Sequence, residues 1–356
     1  MLALALFTGS AEAVQAPDTS AAGVVLMDAD SGRVLYARNE DDRRLIASIT
    51  KLMTALVAME SGHALDEIVT VRPEWTGIEG SSLYLRVGEQ LRLETLLYGM
   101  LLRSGNDAAE AVAGYCGGDV AAFVSAMNAK AGELGMENTC FANPSGLNAD
   151  GHYSTARDMA ILARACLENK TLKTIVSTQS IALEGRFFVN HNKLLQQYEG
   201  CIGLKTGYTE KAGRTLVSAA QRNGMTLICV TLNAPDDWRD HTALFDYGFA
   251  QYESRCLTQK GETVCRIPVS GSLMPFCNVR AADTVQMALA AGERVDFTAQ
   301  LSYDSLTAPV SAGETMGEGI FSLNGKEIAR VPLVAGENVK NDTATDRNGI
   351  FKFFGH

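Results

Sequence analysis

From Gly23 to Tyr36 an apolar run, the turn Asp28-Ala29-Asp30-Ser31-Gly32 and a second apolar run, Val34-Leu35-Tyr36, follow one another. The pattern predicts a β-hairpin closed by small polar residues and glycine. From Ile46 the apolar spacing becomes helical: Leu52, Ala55, Leu56 and Met59 share a stripe, and Gly62 ends it. Further helices are predicted near Leu93–Leu102, Asp119–Leu134 and Ser154–Leu167, the last with Ser154 as its N-cap and Asp158 near its positive end. After Phe188 the strand period returns at Gly203–Thr209, Thr215–Ala220 and Thr226–Leu232, and a helix follows over Arg239–Phe249. Strands therefore bracket a helical insertion, the pattern of an α+β domain rather than of alternating βαβ units.

Beyond Tyr252 the helical spacing gives way to short β-like pieces, Val264–Val269, Arg294–Leu301 and Lys326–Val334, divided by Gly and Asn turns. This predicts a second, all-β domain. It holds no cluster of nucleophile, base and acid and reads as a support or docking module. The length of 356 residues fits two domains at roughly 100–200 residues each.

With 46% hydrophobic and 20% charged residues the chain is globular throughout. Its net charge of −10 sets it against phosphate backbones and anionic lipid surfaces, which excludes nucleic acid as an expected partner. The first sixteen residues form a short apolar run ending in small residues, and both Ala11-Glu12-Ala13 and Val14-Gln15-Ala16 fit a signal-peptidase site. They read as a clipped signal peptide of an exported protein; the alternative is an unstructured N-terminus, because no basic stretch precedes the run. No later segment reaches the roughly 18 apolar residues needed to cross a bilayer. The tail Ile350-Phe351-Lys352-Phe353-Phe354 is aromatic enough to touch a membrane peripherally, yet shorter than an amphipathic anchor helix.

Eight cysteines are scattered without a C-x-x-C, and the five histidines never fall at metal-ligand spacing, so neither zinc nor any other metal is expected. The cysteines read as small buried thiols, Cys229 among them. Cys256 and Cys265, flanking a hairpin-like segment, are the one pair positioned to bridge.

The chemistry begins at Ser48-Ile49-Thr50-Lys51, where a hydroxyl and an amine three residues apart share one face of a helix start. Serine is a weak nucleophile that needs an adjacent base, and lysine serves as one where burial or a second cation favours its neutral form. Alone, S-x-x-K is a weak signal, equally an ordinary exposed helix start. Two further elements change that: Ser104-Gly105-Asn106 in a break between helices, and Lys205-Thr206-Gly207 on a predicted strand. In this order they form the motif set of serine penicillin-interacting enzymes. His152 and His191 invite a Ser–His reading, but no G-x-S-x-G elbow accompanies them, and capping or loop hydrogen bonding is expected of them instead.

On these residues the sequence resembles the low-molecular-mass penicillin-binding proteins, the D-alanyl-D-alanine carboxypeptidases of the bacterial cell wall. Gly80-Ser81-Ser82, Asn143-Pro144-Ser145-Gly146-Leu147, His152-Tyr153-Ser154-Thr155-Ala156 and Asn192-Lys193-Leu194-Leu195 also resemble segments of that family. Ala308-Pro309-Val310 and Val331-Pro332-Leu333-Val334 resemble its C-terminal β domain. Arg214-Thr215-Leu216 and Pro235-Asp236-Asp237-Trp238 look most like members linked to spore formation.

The resemblance implies a serine β-lactamase/transpeptidase-like domain over 17–252, with an antiparallel sheet flanked by helices and an all-helical lobe. An all-β domain over 253–345 and a tail over 346–356 would follow. It implies that Ser48 attacks the penultimate D-alanine carbonyl of a peptidoglycan stem peptide and that Lys51 takes the serine proton. Ser104 would relay a proton to the leaving amine, and Asn106 would bind the substrate amide and hold Lys51. Lys205 and Thr206 would bind the terminal carboxylate, Gly207 would leave room for a peptide docking beside the strand, and the N–H groups of Ser48 and Tyr208 would form an oxyanion hole. Arg214 and Arg239 compete to complete the carboxylate site; hairpin pairing favours Arg214. No cofactor is implied, β-lactams are expected as covalent inhibitors, and the site of action is extracytoplasmic, at the cell wall or the outer face of the membrane.

Two other readings share the motifs. A β-lactamase would need a loop glutamate to activate water, and 143–152 contains none. A non-catalytic binder of wall peptides or β-lactams would not need the intact set Ser48, Lys51, Ser104, Asn106 and Lys205.

Overall fold

The computed structural model describes residues 15–342. The tail 346–356 lies outside the described residues, as does nearly all of the signal-like segment 1–16. The chain divides into two compact units between Gln251 and Tyr252.

In the first unit, β1 (Gly23–Asp28) and β2 (Val34–Arg38) form the opening hairpin. A 3-10 turn, Ala47–Thr50, leads into α1 (Lys51–Glu60), so the helix expected from Ile46 starts five residues later as α-helix. A small hairpin of β3 (Ile68–Thr70) and β4 (Gln90–Arg92) precedes four helices: α2 (Leu93–Leu102), α3 (Asn106–Cys116), α4 (Val120–Glu133) and α5 (Ala156–Glu168). Then come α6 (Lys170–Ser177), a second small hairpin of β5 (Ser180–Leu183) and β6 (Arg186–Val189), and the short α7 (Leu194–Gln197). The strands β7 (Cys201–Thr209), β8 (Gly213–Arg222) and β9 (Met225–Leu232) and the helix α8 (Asp237–Gln251) complete the unit.

The central sheet has the order β2-β1-β9-β8-β7 and is antiparallel throughout. Every residue of β1 and β9 is buried, as strands covered on both faces must be. Val25, Met27, Ile228 and Val230 join the core shared with the helices, whereas Leu26 and Leu227 lie against Gly248 of α8. Alternation along the strands thus fixes which helices cover which face.

Ser154 does not cap α5: it forms an isolated bridge with Arg44, and its hydroxyl meets Thr139. Thr155 is the N-cap, its Oγ1 accepting from Asp158 N at 3.1 Å, a cap of the kind expected but displaced by one position. The sequence reading missed α3, whose alanine-rich segment carries little apolar periodicity, and α6.

The second unit is all β. The strands β10 (Tyr252–Thr258) and β13 (Val285–Ala290) pair with each other. A six-stranded sheet is formed by β11 (Thr263–Ser270), β12 (Phe276–Ala281), β14 (Val295–Leu301), β15 (Leu306–Thr307), β16 (Thr315–Leu323) and β17 (Lys326–Ala335), in the order β14-β16-β17-β12-β11-β15. Its core gathers Ile267, Cys277, Val279, Met316, Phe321 and Leu333.

The Cys256–Cys265 pairing considered from the sequence does not occur. β10 pairs with β13 and β11 with β12, so the two cysteines belong to different ladders, and both thiols are free. Among the described residues no group of three or more His, Cys, Asp or Glu could hold a metal, and no helix is long and apolar enough to cross a membrane.

Candidate active site

Ser48 sits half-buried in the 3-10 turn that begins one residue after Ile46, and Lys51 is the first residue of α1, wholly buried. Ala47, just before Ser48, has φ 50°, a left-handed conformation that costs a non-glycine residue about 1–2 kcal/mol. This geometry turns Ser48 Oγ to within 3.0 Å of Lys51 Nζ. Lys51 Nζ also donates to Asn106 Oδ1 at 2.7 Å and to the Ser145 carbonyl at 2.5 Å. A neutral amine has two N–H donors and one lone pair. As an ammonium Lys51 donates to all three oxygens, Ser48 Oγ included; as a neutral amine, with its two N–H groups on Asn106 and Ser145, it would turn its lone pair to the proton of Ser48.

Burial drives Lys51 well below the usual lysine range, and the nearby Lys205 pushes it further the same way. Both causes favour the neutral amine that a base for Ser48 needs.

His152 stands behind this pair. Its Nδ1 accepts from Ala142 N at 3.1 Å, which fixes the proton on Nε2, and Nε2 lies 2.9 Å from Thr50 Oγ1. Thr50 Oγ1 in turn donates to Ala47 O. Burial lowers the imidazole to about 4. Both ring nitrogens are used, so the histidine fastens the loop to the strained turn and is not a base for Ser48. The same loop approaches so closely that a Cβ on Gly146 would stand 1.9 Å from Ala47 O.

The gap between α2 and α3 presents Ser104, buried and at φ 63°, and Asn106, the first residue of α3. Asn106 Nδ2 donates to Glu79 O at 2.6 Å, which orients the amide so that its oxygen faces Lys51. Its backbone N donates to Ser81 O at 2.7 Å. Asp107 completes the fastening: its carboxylate accepts from Ser82 Oγ and from the backbone of Leu83 and Leu85. The Gly80-Ser81-Ser82 loop is thereby bound to the start of α3. A Cβ on Gly80 (φ +83°) would lie 2.9 Å from Asn106 Nδ2.

On β7, Lys205 is fully buried, donates to Thr206 O at 2.8 Å and is pushed down to about 7 by burial. Packing alone already requires Gly207. A Cβ there would stand 2.4 Å from Thr215 Oγ1 and 2.9 Å from the backbone N of Ser48. The missing side chain lets the strand lie against the nucleophile turn and leaves the Ser48 N–H uncovered. Thr215 Oγ1 donates to Ile46 O, binding β8 to the same turn.

Ser48, Ser104, Thr206, Gly207, Tyr208 and Arg214 line one open cleft of about 610 Å³, with Lys51, Asn106 and Lys205 buried behind its wall. All nine residues singled out in the sequence therefore meet at one place. Arg214 lies opposite Tyr208 in the β7–β8 register and bonds Asp237, whereas Arg239 is 70% exposed, is paired with Asp236 and does not line this cleft. Asp237, Trp238, Ser81 and His191 also line it, and Ser145 supplies a carbonyl to Lys51; the sequence named these residues without giving them a place in the site. Backbone acceptors and loop residues carry no motif of their own.

The chain matches the D-alanyl-D-alanine carboxypeptidase family over residues 10–236 and the C-terminal domain of penicillin-binding protein 5 over residues 252–341. It is 33% identical over 334 residues to D-alanyl-D-alanine carboxypeptidase DacF of Bacillus subtilis, covering 90% of this chain and 86% of the relative. It is 34% identical to D-alanyl-D-alanine carboxypeptidase DacC of Escherichia coli, covering 92% and 86%. The crystal structure of penicillin-binding protein 5 from Haemophilus influenzae superposes with a TM-score of 0.81 at 30% identity, over 92% of this chain and 99% of that one. The matches span both units and include the segments that carry Ser48, Ser104 and Lys205: the chain belongs to the D-alanyl-D-alanine carboxypeptidase family.

Proposed function

We propose that Ser48 is the nucleophile of a serine-type D-Ala-D-Ala carboxypeptidase that trims peptidoglycan stem peptides and is acylated by penicillins. Ser48 Oγ attacks the carbonyl of the penultimate D-alanine while Lys51 takes its proton. The tetrahedral oxyanion is held by the N–H groups of Ser48 and Tyr208, which the close approach of β7 to the turn brings together. The C–N bond then breaks. The proton passes from Lys51 through Ser104 to the leaving amine of the terminal D-alanine, and water hydrolyses the remaining ester. Lys205, Thr206 and Arg214 bind the terminal carboxylate, and Asn106 holds Lys51 and the substrate amide. The observation that carries this reading is the wholly buried Lys51 Nζ, 3.0 Å from Ser48 Oγ and held there by Asn106 and the Ser145 carbonyl.

Among the described residues, Asp237 is the one carboxylate that lines the cleft, and it is bound to Arg214. With that carboxylate engaged by Arg214, the cleft lining favours slow turnover of a penicillin adduct over the water activation that a β-lactamase requires. The substrate places the action outside the cytoplasm, at the cell wall. Export is read from the apolar run and signal-peptidase sites of 1–16, peripheral membrane contact from the aromatic tail 350–354, and a link to spore formation from the resemblance of 214–216 and 235–238.

The test is D-alanine release from a peptide ending in D-Ala-D-Ala. Release that is lost in Ser48→Ala and in Lys51→Ala supports the reading; release that survives in Ser48→Ala contradicts it.

A further inference from the structure

Asp237 is the first residue of α8, almost fully buried, yet it reaches the cleft wall. One of its oxygens, Oδ1, accepts from Arg214 Nε at 3.0 Å and from the backbone N of Trp238 at 2.9 Å, and forms an ion pair with Arg214 Nη2 at 2.9 Å. The Trp238 ring lies against the face of the same guanidinium, 5.5 Å from its carbon. One edge and one face of Arg214 are therefore held, and Nη1 with the outer hydrogen of Nη2 remains for the cleft. The Arg214 side chain is 41% exposed, the Asp237 side chain 2%. The anchor is buried and the tip is free.

Asp237 is itself fixed from behind. One turn along α8, His241 bonds Thr231 Oγ1 at 2.9 Å and contacts Ser218 Oγ, which ties the helix to β8 and β9. Ser20 donates from its backbone N and its hydroxyl to Asp240 Oδ2. The arginine on β8 and its acceptor on α8 thus belong to one packed body, and the guanidinium inherits that rigidity.

We propose that Asp237 is the positioning residue of the carboxylate subsite: it fixes the Arg214 guanidinium so that its free N–H groups select a substrate ending in a free carboxylate over one ending in an amide. The inference rests on the reading that Arg214 binds that carboxylate. A merely structural Asp237 would lower activity on both kinds of substrate alike, whereas a positioning residue acts on the carboxylate alone.

The test measures kcat and KM on a peptide ending in D-Ala-D-Ala and on the same peptide ending in D-Ala-D-alaninamide, for wild type, Arg214→Ala, Asp237→Ala, Asp237→Asn and the double variant Arg214→Ala/Asp237→Ala. Asp237→Asn keeps an acceptor of the same shape and serves where the alanine variant folds poorly. In Arg214→Ala and Asp237→Ala, KM for the free acid should rise by about tenfold or more, KM for the amide should hardly change, and the double variant should be no worse than Arg214→Ala. Asp237→Asn should fall between. If Arg214→Ala removes the preference for the free acid while both Asp237 variants keep it, the positioning role is overturned and the reading of Arg214 stands. If Arg214→Ala keeps the preference, the reading of Arg214 fails and the inference falls with it.

Discussion

Asn106 Oδ1 accepts from Lys51 Nζ at 2.7 Å while Asn106 Nδ2 donates to Glu79 O at 2.6 Å, so the amide is locked with its oxygen toward the lysine. A neutral acceptor in this position orients Lys51 without charging it. Asn106→Asp replaces it with an anion, which favours the ammonium form and raises the lysine's pKa. Acylation by benzylpenicillin at pH 7 should fall on the order of 100-fold and recover partly as pH rises. A pH–rate profile of acylation checks this; a profile parallel to wild type would exclude Lys51 as the base.

The nine site residues were legible in the sequence because three motifs carry them, and each motif marks a local necessity. Ser48 and Lys51 need a helix start, Asn106 needs a break between helices, and Lys205 needs a strand. The contacts that complete the site run between segments far apart in the chain. Ser145 supplies a backbone carbonyl, which any residue could supply, and Asp237 becomes visible only when α8 packs beside β8. Gly207 was identified from its motif, but the clash of a Cβ there with Thr215 and the Ser48 backbone is a packing fact that no strand pattern contains. In the fold, α3 escaped because alanine-rich burial has no strong apolar period, and the cap of α5 was displaced by one residue because Ser154 and Thr155 are both suitable caps.

Gly207→Ala should be damaging although it adds one methyl. The new Cβ would push β7 from the Ser48 turn, with a stability loss of about 1–3 kcal/mol. Activity should fall further than stability explains, on the order of 100-fold, since the oxyanion donors would move apart. Denaturant midpoints and D-alanine release on the same preparation separate the two effects.

His152→Ala should weaken the loop without removing the base. Ala142 N loses its acceptor and Thr50 Oγ1 keeps only Ala47 O, so stability falls by about 1–3 kcal/mol. The acid limb of penicillin acylation should keep its position, because the imidazole titrates near 4 and does not accept the Ser48 proton. A limb that disappears in His152→Ala would contradict this assignment.

Lys205 makes the protein's stability depend on pH. In the unfolded chain it stays protonated to about 10.4, whereas in the folded protein burial brings it down to about 7. Above about 7 the unfolded state therefore binds more protons, and raising the pH favours the folded state by up to about 1.4 kcal/mol per unit for this group. Lys51, depressed by the same cause, adds in the same direction. Buried thiols such as Cys166 and Cys229, pushed upward by burial, oppose the trend once unfolded thiols ionise near about 8.5. Urea midpoints should rise between about pH 7 and 8.5, and Lys205→Met should flatten that rise.

The nucleophile is tested most directly by intact-protein mass spectrometry after brief exposure to benzylpenicillin, with Ser48→Ala alongside. A single penicilloyl adduct on the wild-type chain, absent from Ser48→Ala and slow to disappear after the drug is removed, is the predicted result. An adduct of equal yield on Ser48→Ala, or no adduct on the wild-type chain, would contradict Ser48 as the acylated residue.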